Sequence, residues 1–248
     1  MKNQELRMKN KFAVFDIDGT LIRWQLYHAI ADAMVRLGYV APFTYQVVKD
    51  ARMEWKKRSG NGSFRSYEEQ LIDTYEKVLK ELTRKQFLKA ADAVFNEYKD
   101  QVYIYPRDLI DEVKKKGYLL FAISGSQVEI VEKIALYWGF DDWVGTIYDY
   151  KNGHFTGAKS VGSADKAKIL KKLVDKHKAT FKGSIAVGDS SSDIAMLKMV
   201  ERPIAFNPEK ALFGHAKKNG WKVVIERKNM VYELGKQNGR YQLVKTNV

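Results

Sequence analysis

The sequence contains no cysteine, and no apolar run in it approaches the roughly 20 residues that a membrane-spanning helix needs. The lack of cysteine excludes disulfide bonds and thiolate metal sites, and it fits a reducing compartment. Residues 1–11 are polar and basic and lack the apolar segment of a secretory signal. We therefore expect a cytoplasmic protein without a membrane span.

Acidic residues are outnumbered, because the chain has 43 Lys and Arg residues against 30 Asp and Glu residues, a net charge of +13. This balance indicates either a lysine-rich solvated surface or an anionic partner, such as a phosphorylated small molecule, a nucleic acid or a membrane surface. The lysines are spread along the chain in short clusters such as Lys114–Lys116, without a zinc-finger or ribonucleoprotein-type motif. Their distribution favours the solvated surface over dedicated nucleic-acid binding.

The chain is long enough for one large domain or for a core with an insert, and 45% of its residues are hydrophobic. After Pro106, strand patterns alternate with helix patterns, whereas residues 24–103 show only helix patterns. This alternation predicts an α/β fold with a doubly wound, Rossmann-like parallel sheet. We assign residues 1–23 and 104–248 to this core and residues 24–103 to an inserted helical cap. A C-terminal β-hairpin is predicted to turn at Asn238-Gly239.

Three four-residue patterns have the composition of a helix capping box, in which a hydroxyl residue is followed three positions later by Glu or Gln. They begin at Ser66, Thr83 and Ser126. Each pattern predicts that a helix starts immediately after its hydroxyl residue.

The chain is organised around the stretch Phe12–Leu21, which reads FAVFDIDGTL. Its first four residues have the length and content of a buried strand. Since alternate residues of an extended segment point to the same side, Asp16 and Asp18 should project together from the carboxyl end of that strand. A Mg²⁺ ion would relieve the repulsion between the two carboxylates, leaving one to attack and the other to carry protons. The alternative is a simple Asp-Gly turn at a strand end.

Two further segments offer groups that bind phosphate. Ser124-Gly125-Ser126 lies between an apolar strand and a helix, where backbone N–H groups and a hydroxyl can hold phosphate oxygens. Plain N-capping is the alternative for this tripeptide. Lys166 lies in the first turn of a predicted helix, where a cation opposes the helix dipole. It is therefore either an ammonium group that neutralises a phosphate or one solvated lysine among many.

A second acidic strand end occurs in Gly188–Asp193, which reads GDSSSD. Asp189 follows a short predicted strand, and Asp193 lies in the first turn of the next helix. Both residues could simply cap that helix. In a parallel sheet, however, Asp189 would reach the same edge as Asp16, and the two carboxylates would provide oxygen ligands for Mg²⁺.

Taken in this order, DIDGT, Ser124 after an apolar strand, Lys166 and GDSSSD resemble the four motifs of the haloacid dehalogenase-like hydrolases. The resemblance covers the chain from Phe12 to about Trp221. The helical insert directly after the first motif, and the form GDSSSDIAML of the last motif, resemble the phosphoserine-phosphatase-like branch of that superfamily, subfamily IB.

The resemblance implies a role for each motif residue. Asp16 would be the nucleophile that forms a phospho-aspartyl intermediate, and Asp18 would protonate the leaving oxygen and then activate water. Ser124 and the Gly125 amide would bind phosphate, and Lys166 would stabilise its charge. The remaining implied roles are Mg²⁺ ligation by Asp16, the Asp18 main-chain carbonyl and Asp189, support from Asp193, and orientation of the phosphate-binding first loop by Thr20.

The sequence departs from this branch at two positions. Phosphoserine phosphatases that resemble it carry a glutamate for the substrate's ammonium group nine positions after the nucleophile, where this chain has Gln25. Ser192 replaces the usual asparagine before the final aspartate. The departure at Gln25 argues against phosphoserine as the substrate. Candidate substrate-binding residues in the insert are Gln25, Trp24, Arg52, Arg58 and Arg65, with Tyr27 and Trp55 as further aromatics; helix packing and solvated helix faces are the alternatives for them.

These patterns predict a Mg²⁺-dependent phosphomonoester phosphatase whose helical cap closes over a small phosphorylated metabolite. Two alternatives stand beside this prediction. The same four motifs can serve a phosphomutase or a phosphotransferase. The basic chain could also be a nucleic-acid- or membrane-binding protein on a hydrolase scaffold.

Overall fold

The computed structural model describes residues 10–57 and 63–247 of the chain. These residues form nine strands of one sheet. The strands are β1 (Lys11–Phe15), β2 (Leu119–Gln127), β3 (Asp142–Lys151), β4 (His154–Ser160), β5 (Thr180–Gly188), β6 (Arg202–Phe206), β7 (Lys222–Arg227), β8 (Met230–Gln237) and β9 (Arg240–Asn247).

The same residues form nine α-helices and a short 3-10 turn at Ser191–Asp193. The helices are α1 (Leu26–Arg36), α2 (Gln46–Lys56), α3 (Ser63–Glu81), α4 (Arg84–Tyr98), α5 (Ile104–Lys115), α6 (Val128–Trp138), α7 (Lys166–Lys176), α8 (Ile194–Leu197) and α9 (Lys210–Asn219). Within the described ranges, none of these helices has the length and apolar content that crossing a membrane requires.

The strand order of the sheet is β4-β3-β2-β1-β5-β6-β7-β8-β9. The six strands from β3 to β7 in this order run parallel, while β4 at one edge and β8 and β9 at the other pair antiparallel. The chain moves from β1 to β2 and β3 and then continues on the opposite side of β1 with β5. The order therefore reverses between β1 and β5, and the carboxyl ends of these two strands flank the crevice where open α/β sheets bind ligands.

The side chains of β1 alternate between two apolar cores. Ala13 and Phe15 belong to a core shared with α1–α6, whereas Phe12 and Val14 belong to a core shared with α7–α9. All four side chains are fully buried. A parallel strand that is buried on both faces has a continuous apolar sequence, which is the pattern that predicted β1. Truncating Phe12 or Phe15 to Ala would cost about 3–5 kcal/mol of stability.

Four helices, α1–α4, lie between β1 and α5, as the helix-only pattern of residues 24–103 predicts. Arg52 of α2 connects them, because its guanidinium group donates to both carboxylate oxygens of Asp32 in α1, at 2.8 and 3.0 Å. It also donates to the hydroxyl groups of Tyr45, at 3.0 Å, and Tyr67 in α3, at 2.9 Å. Helices α3 and α4 also contact β4 and α6, respectively. The division into core and cap therefore stays a prediction.

One of the three predicted helix starts is confirmed. Thr83 caps α4 by accepting a hydrogen bond from the Gln86 N–H, while the Gln86 side chain accepts one from the Thr83 N–H at 2.9 Å. The start at Ser66 is wrong, because α3 begins at Ser63 and serine is tolerated inside an amphipathic helix that packs against α2. The start at Ser126 is also wrong, because α6 follows Gln127 and the Ser126 hydroxyl is engaged elsewhere.

The predicted C-terminal hairpin is present. Strands β8 and β9 pair antiparallel, with Gln237 opposite Arg240. Asn238 and Gly239 between them have φ values of 49° and 78°. Positive φ at both central residues gives the turn a twist that matches the flanking strands, which is why Asn-Gly predicts it.

Candidate active site

Three carboxylates meet at the carboxyl ends of β1 and β5. Asp16 directly follows β1, Asp189 directly follows β5, and Asp193 ends the 3-10 turn. The Asp16 N–H donates to the Val187 carbonyl at 3.0 Å, which ties the two strand ends together. Each carboxylate presents an oxygen within 4.8 Å of an oxygen of the other two. The structure therefore brings together the two acidic strand ends that the sequence predicts.

Lys166 lies between two of these carboxylates. It begins α7, and its Nζ atom is 2.6 Å from Oδ1 of Asp16 and 2.6 Å from Oδ1 of Asp193. Although burial disfavours the ammonium group, the two carboxylates raise the pKa of Lys166 above its ordinary value. A charged lysine at this helix start is thus explained by its partners. The helix is capped separately by Asp165, whose side chain accepts from the Lys168 N–H at 3.0 Å.

Asp193 is a fixed, fully buried anchor. Its Oδ2 atom accepts hydrogen bonds from the Asp189 N–H at 3.1 Å and from the Ser190 N–H at 3.0 Å. It therefore caps its own turn and pairs with Lys166 at the same time, so that the capping alternative and the functional one coexist. The packing requires glycine at position 188, because a Cβ atom on Gly188 would lie 2.4 Å from Cγ of Asp193.

Asp18 lies in the loop that follows β1, the first loop, and connects this loop to the start of α1 and to β2. Its Oδ1 atom accepts from the Leu26 N–H at the start of α1, at 2.6 Å, and from the Ser126 hydroxyl at 3.0 Å. Its Oδ2 atom accepts from the Ser124 hydroxyl at 2.5 Å. Burial raises the pKa of Asp18 against the opposing effect of these hydrogen bonds. The Ser126 hydroxyl is therefore committed to Asp18, which explains why it does not cap α6.

Asp16 and Asp189 titrate unlike exposed carboxylates. Burial raises the pKa of Asp16 to about 7, although Lys166 opposes the rise. Burial and the neighbouring Asp16 raise the pKa of Asp189 well above its ordinary value. Hard divalent cations prefer closely spaced carboxylate oxygens, and a bound cation would favour the ionised form of both groups. The donor chemistry of this cluster therefore fits Mg²⁺.

The first loop passes close to Asp189. Gly19 has a φ value of 78°, which favours glycine, and a Cβ atom on it would lie 2.4 Å from Oδ2 of Asp189. The hydroxyl of the buried Thr20 lies 3.4 Å from Oδ1 of Asp189, to which it donates. The structure thus places Thr20 beside Asp189.

Gly125 lies in β2, between the two serines that donate to Asp18. Its carbonyl accepts from the Thr146 hydroxyl at 2.6 Å, and Thr146 also accepts from the Gly162 N–H at 3.1 Å. A Cβ atom on Gly125 would lie 3.0 Å from the Ser163 hydroxyl oxygen. The segment Ser124–Ser126 is therefore fixed from two sides, and Gly125 and Ser126 face a cavity.

A cavity of about 510 Å³ extends from the carboxylates to helices α1 and α3. Of the residues predicted to bind substrate, Gln25 and Tyr27 line it, and Ser192 lines it as well. The described residues that line the cavity are Asp16, Asp18, Gln25, Tyr27, His28, Glu68, Leu71, Ile72, Gly125, Ser126, Thr146, Tyr148, Lys159, Val161, Ser163, Lys166, Asp189, Ser190, Ser191, Ser192 and Glu209.

Three other predictions for the substrate pocket are corrected. Arg52 is not among the lining residues, because its guanidinium group is bound by Asp32 and two tyrosine hydroxyls. Trp24 packs against the apolar core, edge-on to His28, and Trp55 stacks on Tyr67 with ring centroids 5.5 Å apart. Packing between helices thus accounts for both tryptophans. Arg58 and the side chain of Arg65 lie outside the described residues.

Several lining residues were missed from the sequence. Ser126 was predicted only as part of the tripeptide Ser124-Gly125-Ser126, which offers groups that bind phosphate. His28, Glu68, Tyr148 and Lys159 have no comparable signal, because they reach the cavity only through contacts between distant segments. The Tyr148 hydroxyl, for example, lies 3.4 Å from that of Tyr27, and Lys159 forms an ion pair with Glu76.

The chain is similar to known proteins in sequence and in fold. A sequence model of the family haloacid dehalogenase-like hydrolase matches residues 13–198. The chain is 26% identical over 204 residues to the phosphoserine phosphatase of Methanocaldococcus jannaschii, which covers 81% of this chain and 87% of that protein. It is 25% identical over 231 residues to the histidinol-phosphatase of Neisseria meningitidis, which covers 88% of this chain and 99% of that protein.

Among solved structures, a phosphoserine phosphatase in the form of a phospho-aspartyl intermediate analogue has a TM-score of 0.61 and 24% identity, covering 90% of this chain and 96% of that one. This likeness concerns the fold, and it confirms the predicted fold class. The chain spans less than half the length of several mycobacterial relatives that it matches. Since the family match runs from β1 to the end of α8 and includes all four motifs, the chain belongs to the haloacid dehalogenase-like hydrolases, and its resemblance to their phosphoserine-phosphatase-like branch is confirmed.

Proposed function

We propose that the protein is a Mg²⁺-dependent phosphomonoester phosphatase that forms a phospho-aspartyl intermediate on Asp16. The observation that carries this proposal is the buried ammonium group of Lys166, 2.6 Å from Oδ1 of Asp16 and 2.6 Å from Oδ1 of Asp193. It orients a carboxylate that faces the cavity and places a positive charge where a phosphoryl group would arrive. Phosphoryl transfer depends chiefly on such positioning and charge stabilisation.

The chemistry then needs two steps. In the first, Oδ2 of Asp16 attacks phosphorus, the ester P–O bond breaks, and Asp18 gives its proton to the leaving alcohol oxygen. In the second, Asp18 takes a proton from a water molecule that attacks phosphorus, and the Asp16 carboxylate leaves to release inorganic phosphate. The raised pKa of Asp18 supports this role, because the first step requires its protonated form.

The phosphoryl oxygens would be held by three groups. The Ser124 hydroxyl, which donates to Asp18 at 2.5 Å, can turn to a phosphate oxygen. The Gly125 N–H and the Lys166 ammonium group would supply further hydrogen bonds and positive charge. Ser124 and Gly125 belong to β2 and Lys166 begins α7, so the fold itself orients these groups.

Mg²⁺ would be held by the carboxylates of Asp16 and Asp189 and by the main-chain carbonyl of Asp18. When bound, it supplies positive charge that offsets the charge of the phosphoryl oxygens. Thr20 and Asp193 would support this site, because the Thr20 hydroxyl donates to Asp189 and the Asp193 carboxylate accepts from the Asp189 N–H.

The substrate would be a small phosphorylated metabolite enclosed between the core and a cap formed by residues 24–103. The names of two relatives that match over most of their length, a phosphoserine phosphatase and a histidinol-phosphatase, support a phosphomonoester. The cysteine-free sequence supports a cytoplasmic location.

Phosphate release from a panel of phosphomonoesters, in Mg²⁺ or in EDTA, tests the proposal. We expect Mg²⁺-dependent release from the native chain and none from Asp16→Asn, which keeps the size of the side chain. The matched control is Asp175→Asn at an exposed position of α7, which should retain activity. Acid quenching with a ³²P-labelled substrate should leave label on the native protein and none on Asp16→Asn.

Two outcomes would contradict the proposal. If no ester in the panel released phosphate, the proposed phosphatase activity would be rejected. Transfer of the phosphoryl group to an added acceptor alcohol in preference to water would instead indicate a phosphotransferase.

A further inference from the structure

Besides the catalytic carboxylates, two further acids, Glu68 and Glu209, line the cavity. Two cations line the cavity among the described residues, Lys166 and Lys159. Lys166 is held by Asp16 and Asp193, and Lys159 by Glu76. Within the described part of the chain, each lining cation therefore already has a carboxylate partner, and the wall offers little to a second anionic group of a substrate.

Glu68 provides an uncompensated negative charge on this wall. It lies on α3, is partly buried, and forms no hydrogen bond or ion pair with residues 10–57 and 63–247. Burial raises its pKa, and the next largest cause is Glu209, which lines the cavity from the start of α9. The Glu209 carboxylate accepts only a backbone hydrogen bond in this region, from the Ser191 N–H at 2.6 Å. Glu68 on α3 and Glu209 at the start of α9 thus both present acids to the cavity.

His28 is an independent sign of a ligand in the same cavity. The residue is 3% exposed and lines the cavity, yet its Nδ1 atom has no hydrogen-bond partner among the described residues. Burial lowers the pKa of His28 to about 3, with Arg52 as the second cause, so the imidazole is neutral at physiological pH. Buried polar atoms are normally paired, and an unpaired one on a residue that lines a cavity calls for a partner that the protein does not supply.

The neighbouring residue at position 25 sharpens this observation. Gln25 lines the cavity where the branch described above carries a glutamate for an ammonium group. Position 25 therefore carries no charge, and Glu68 on α3 supplies a carboxylate to the same cavity. The guanidinium group of Arg52, a candidate for binding a carboxylate, is occupied by Asp32. The cavity as described combines an acid, a neutral acceptor and no cation available for a carboxylate.

We infer that the substrate is the phosphomonoester of an amino alcohol, whose ammonium group pairs with Glu68 and donates a hydrogen bond to Nδ1 of His28. This inference rests on the proposed phosphatase activity. Phosphoserine is disfavoured because its carboxylate would enter a wall that carries Glu68 and Glu209. A charge-assisted hydrogen bond to the partly desolvated carboxylate would distinguish a phosphomonoester that carries an ammonium group from one that does not.

The test compares kcat/KM for phosphoethanolamine, ethyl phosphate and phosphoserine. Ethyl phosphate lacks the ammonium group, and phosphoserine adds a carboxylate. We expect phosphoethanolamine to exceed ethyl phosphate by about 10- to 100-fold, the range expected for a hydrogen bond to a charged group. Phosphoserine should fall below phosphoethanolamine. Equal kcat/KM values for phosphoethanolamine and ethyl phosphate would overturn the inference but would leave the proposed phosphatase activity intact. If neither these three esters nor any other ester of the panel were hydrolysed, both the inference and the proposed activity would be overturned.

Variants of Glu68 assign the preference to this residue. In Glu68→Gln the ratio of phosphoethanolamine to ethyl phosphate should fall towards one. In Glu68→Lys phosphoglycolate, which carries a carboxylate and no amine, should become the better substrate. Glu81→Gln, at an exposed position of the same helix, is the matched control and should keep the native ratio. An unchanged ratio in both Glu68 variants, with melting temperatures close to that of the native chain, would refute the assignment.

The contribution of His28 has its own readout. His28→Phe keeps an aromatic ring in the buried position and removes Nδ1. It should raise KM for phosphoethanolamine several-fold more than KM for ethyl phosphate. An equal change in both KM values would mean that His28 contributes only to packing and would overturn its part of the inference.

Discussion

The Nζ atom of Lys166 lies 2.6 Å from Oδ1 of Asp16, and both side chains are almost fully buried. The two residues are 150 positions apart in the sequence. Their pairing couples the end of β1 to the start of α7, and Asp193 completes it from the opposite side. A buried ion pair of this kind matters most when one partner is removed, because the remaining charge is left without compensation.

We therefore expect Lys166→Met to lower the free energy of unfolding by about 3–5 kcal/mol in EDTA, because Asp16 and Asp193 would lose their shared cation. Urea denaturation measures the change. Lys168→Met, at an exposed position of the same helix, should leave stability within about 0.5 kcal/mol of the native value. Equal stability of the two variants would show that the ion pair is energetically unimportant. Phosphate release should be lost in Lys166→Met alone.

Gly188→Ala should displace Asp193, because the added Cβ would lie 2.4 Å from Cγ of that residue. Such overpacking typically costs about 1–3 kcal/mol, and the shift should also misplace Lys166 and reduce phosphate release. The matched control is Gly214→Ala in α9, where nothing lies within 4 Å of the new methyl group. That control should be neutral or stabilising by up to about 1 kcal/mol, since glycine disfavours a helix interior. Equal melting temperatures of the two variants would contradict the packing argument.

Binding of Mg²⁺ should stabilise the native chain through Asp189. At a free concentration 100 times the dissociation constant, a ligand that binds only the folded state adds about 2.7 kcal/mol. Thermal unfolding in Mg²⁺ and in EDTA measures the difference. Asp189→Asn should lose most of this response, and its melting temperature in EDTA should exceed that of the native chain because the repulsion with Asp16 is removed. An undiminished Mg²⁺ response in this variant would place the cation elsewhere.

The parts of this site that could be predicted from sequence are those fixed by local structure. Asp16 and Asp189 each follow an apolar strand, and the carboxyl ends of parallel strands share one edge, so their meeting follows from the pattern alone. The same holds for Thr83, whose cap involves a residue only three positions away. These elements needed no knowledge of distant contacts.

The substrate-facing wall could not be predicted, because it depends on partners far apart in the sequence. Arg52 looked available for an anion, but Asp32 and Tyr67 of the neighbouring helices bind it. Ser126 fitted a capping box, but Asp18 competes successfully for its hydroxyl. In both cases the sequence pattern predicted that the side chain forms hydrogen bonds, but it predicted the wrong partner. A buried polar group bonds to whichever group the tertiary fold brings near it.

The role of Arg52 as a connector of helices leads to a separate prediction. Arg52→Gln should lower the free energy of unfolding by about 1–3 kcal/mol, because the Asp32 carboxylate loses a partly buried, bidentate partner. The order of preference among phosphomonoesters should stay native, since Arg52 does not line the cavity. Denaturation and a substrate panel on the same preparation test both parts. A changed substrate order with native stability would restore Arg52 as a substrate-binding residue.

The buried, neutral His28 should make stability depend on pH. Burial, followed by the charge of Arg52, lowers its pKa from the ordinary value of 6.5 to about 3. Below pH 6.5 the unfolded chain therefore takes up a proton that folded His28 does not, and the free energy of unfolding should fall by up to about 1.4 kcal/mol per pH unit until pH approaches 3. His28→Phe removes this contribution, so its stability relative to the native chain should improve as the pH is lowered from 7 to 4. Urea titrations at several pH values measure the difference, and His154→Gln, at an exposed position, is the control that should follow the native chain. A constant difference between native and His28→Phe across this range would mean that His28 takes up its proton in the folded protein as readily as in the unfolded one.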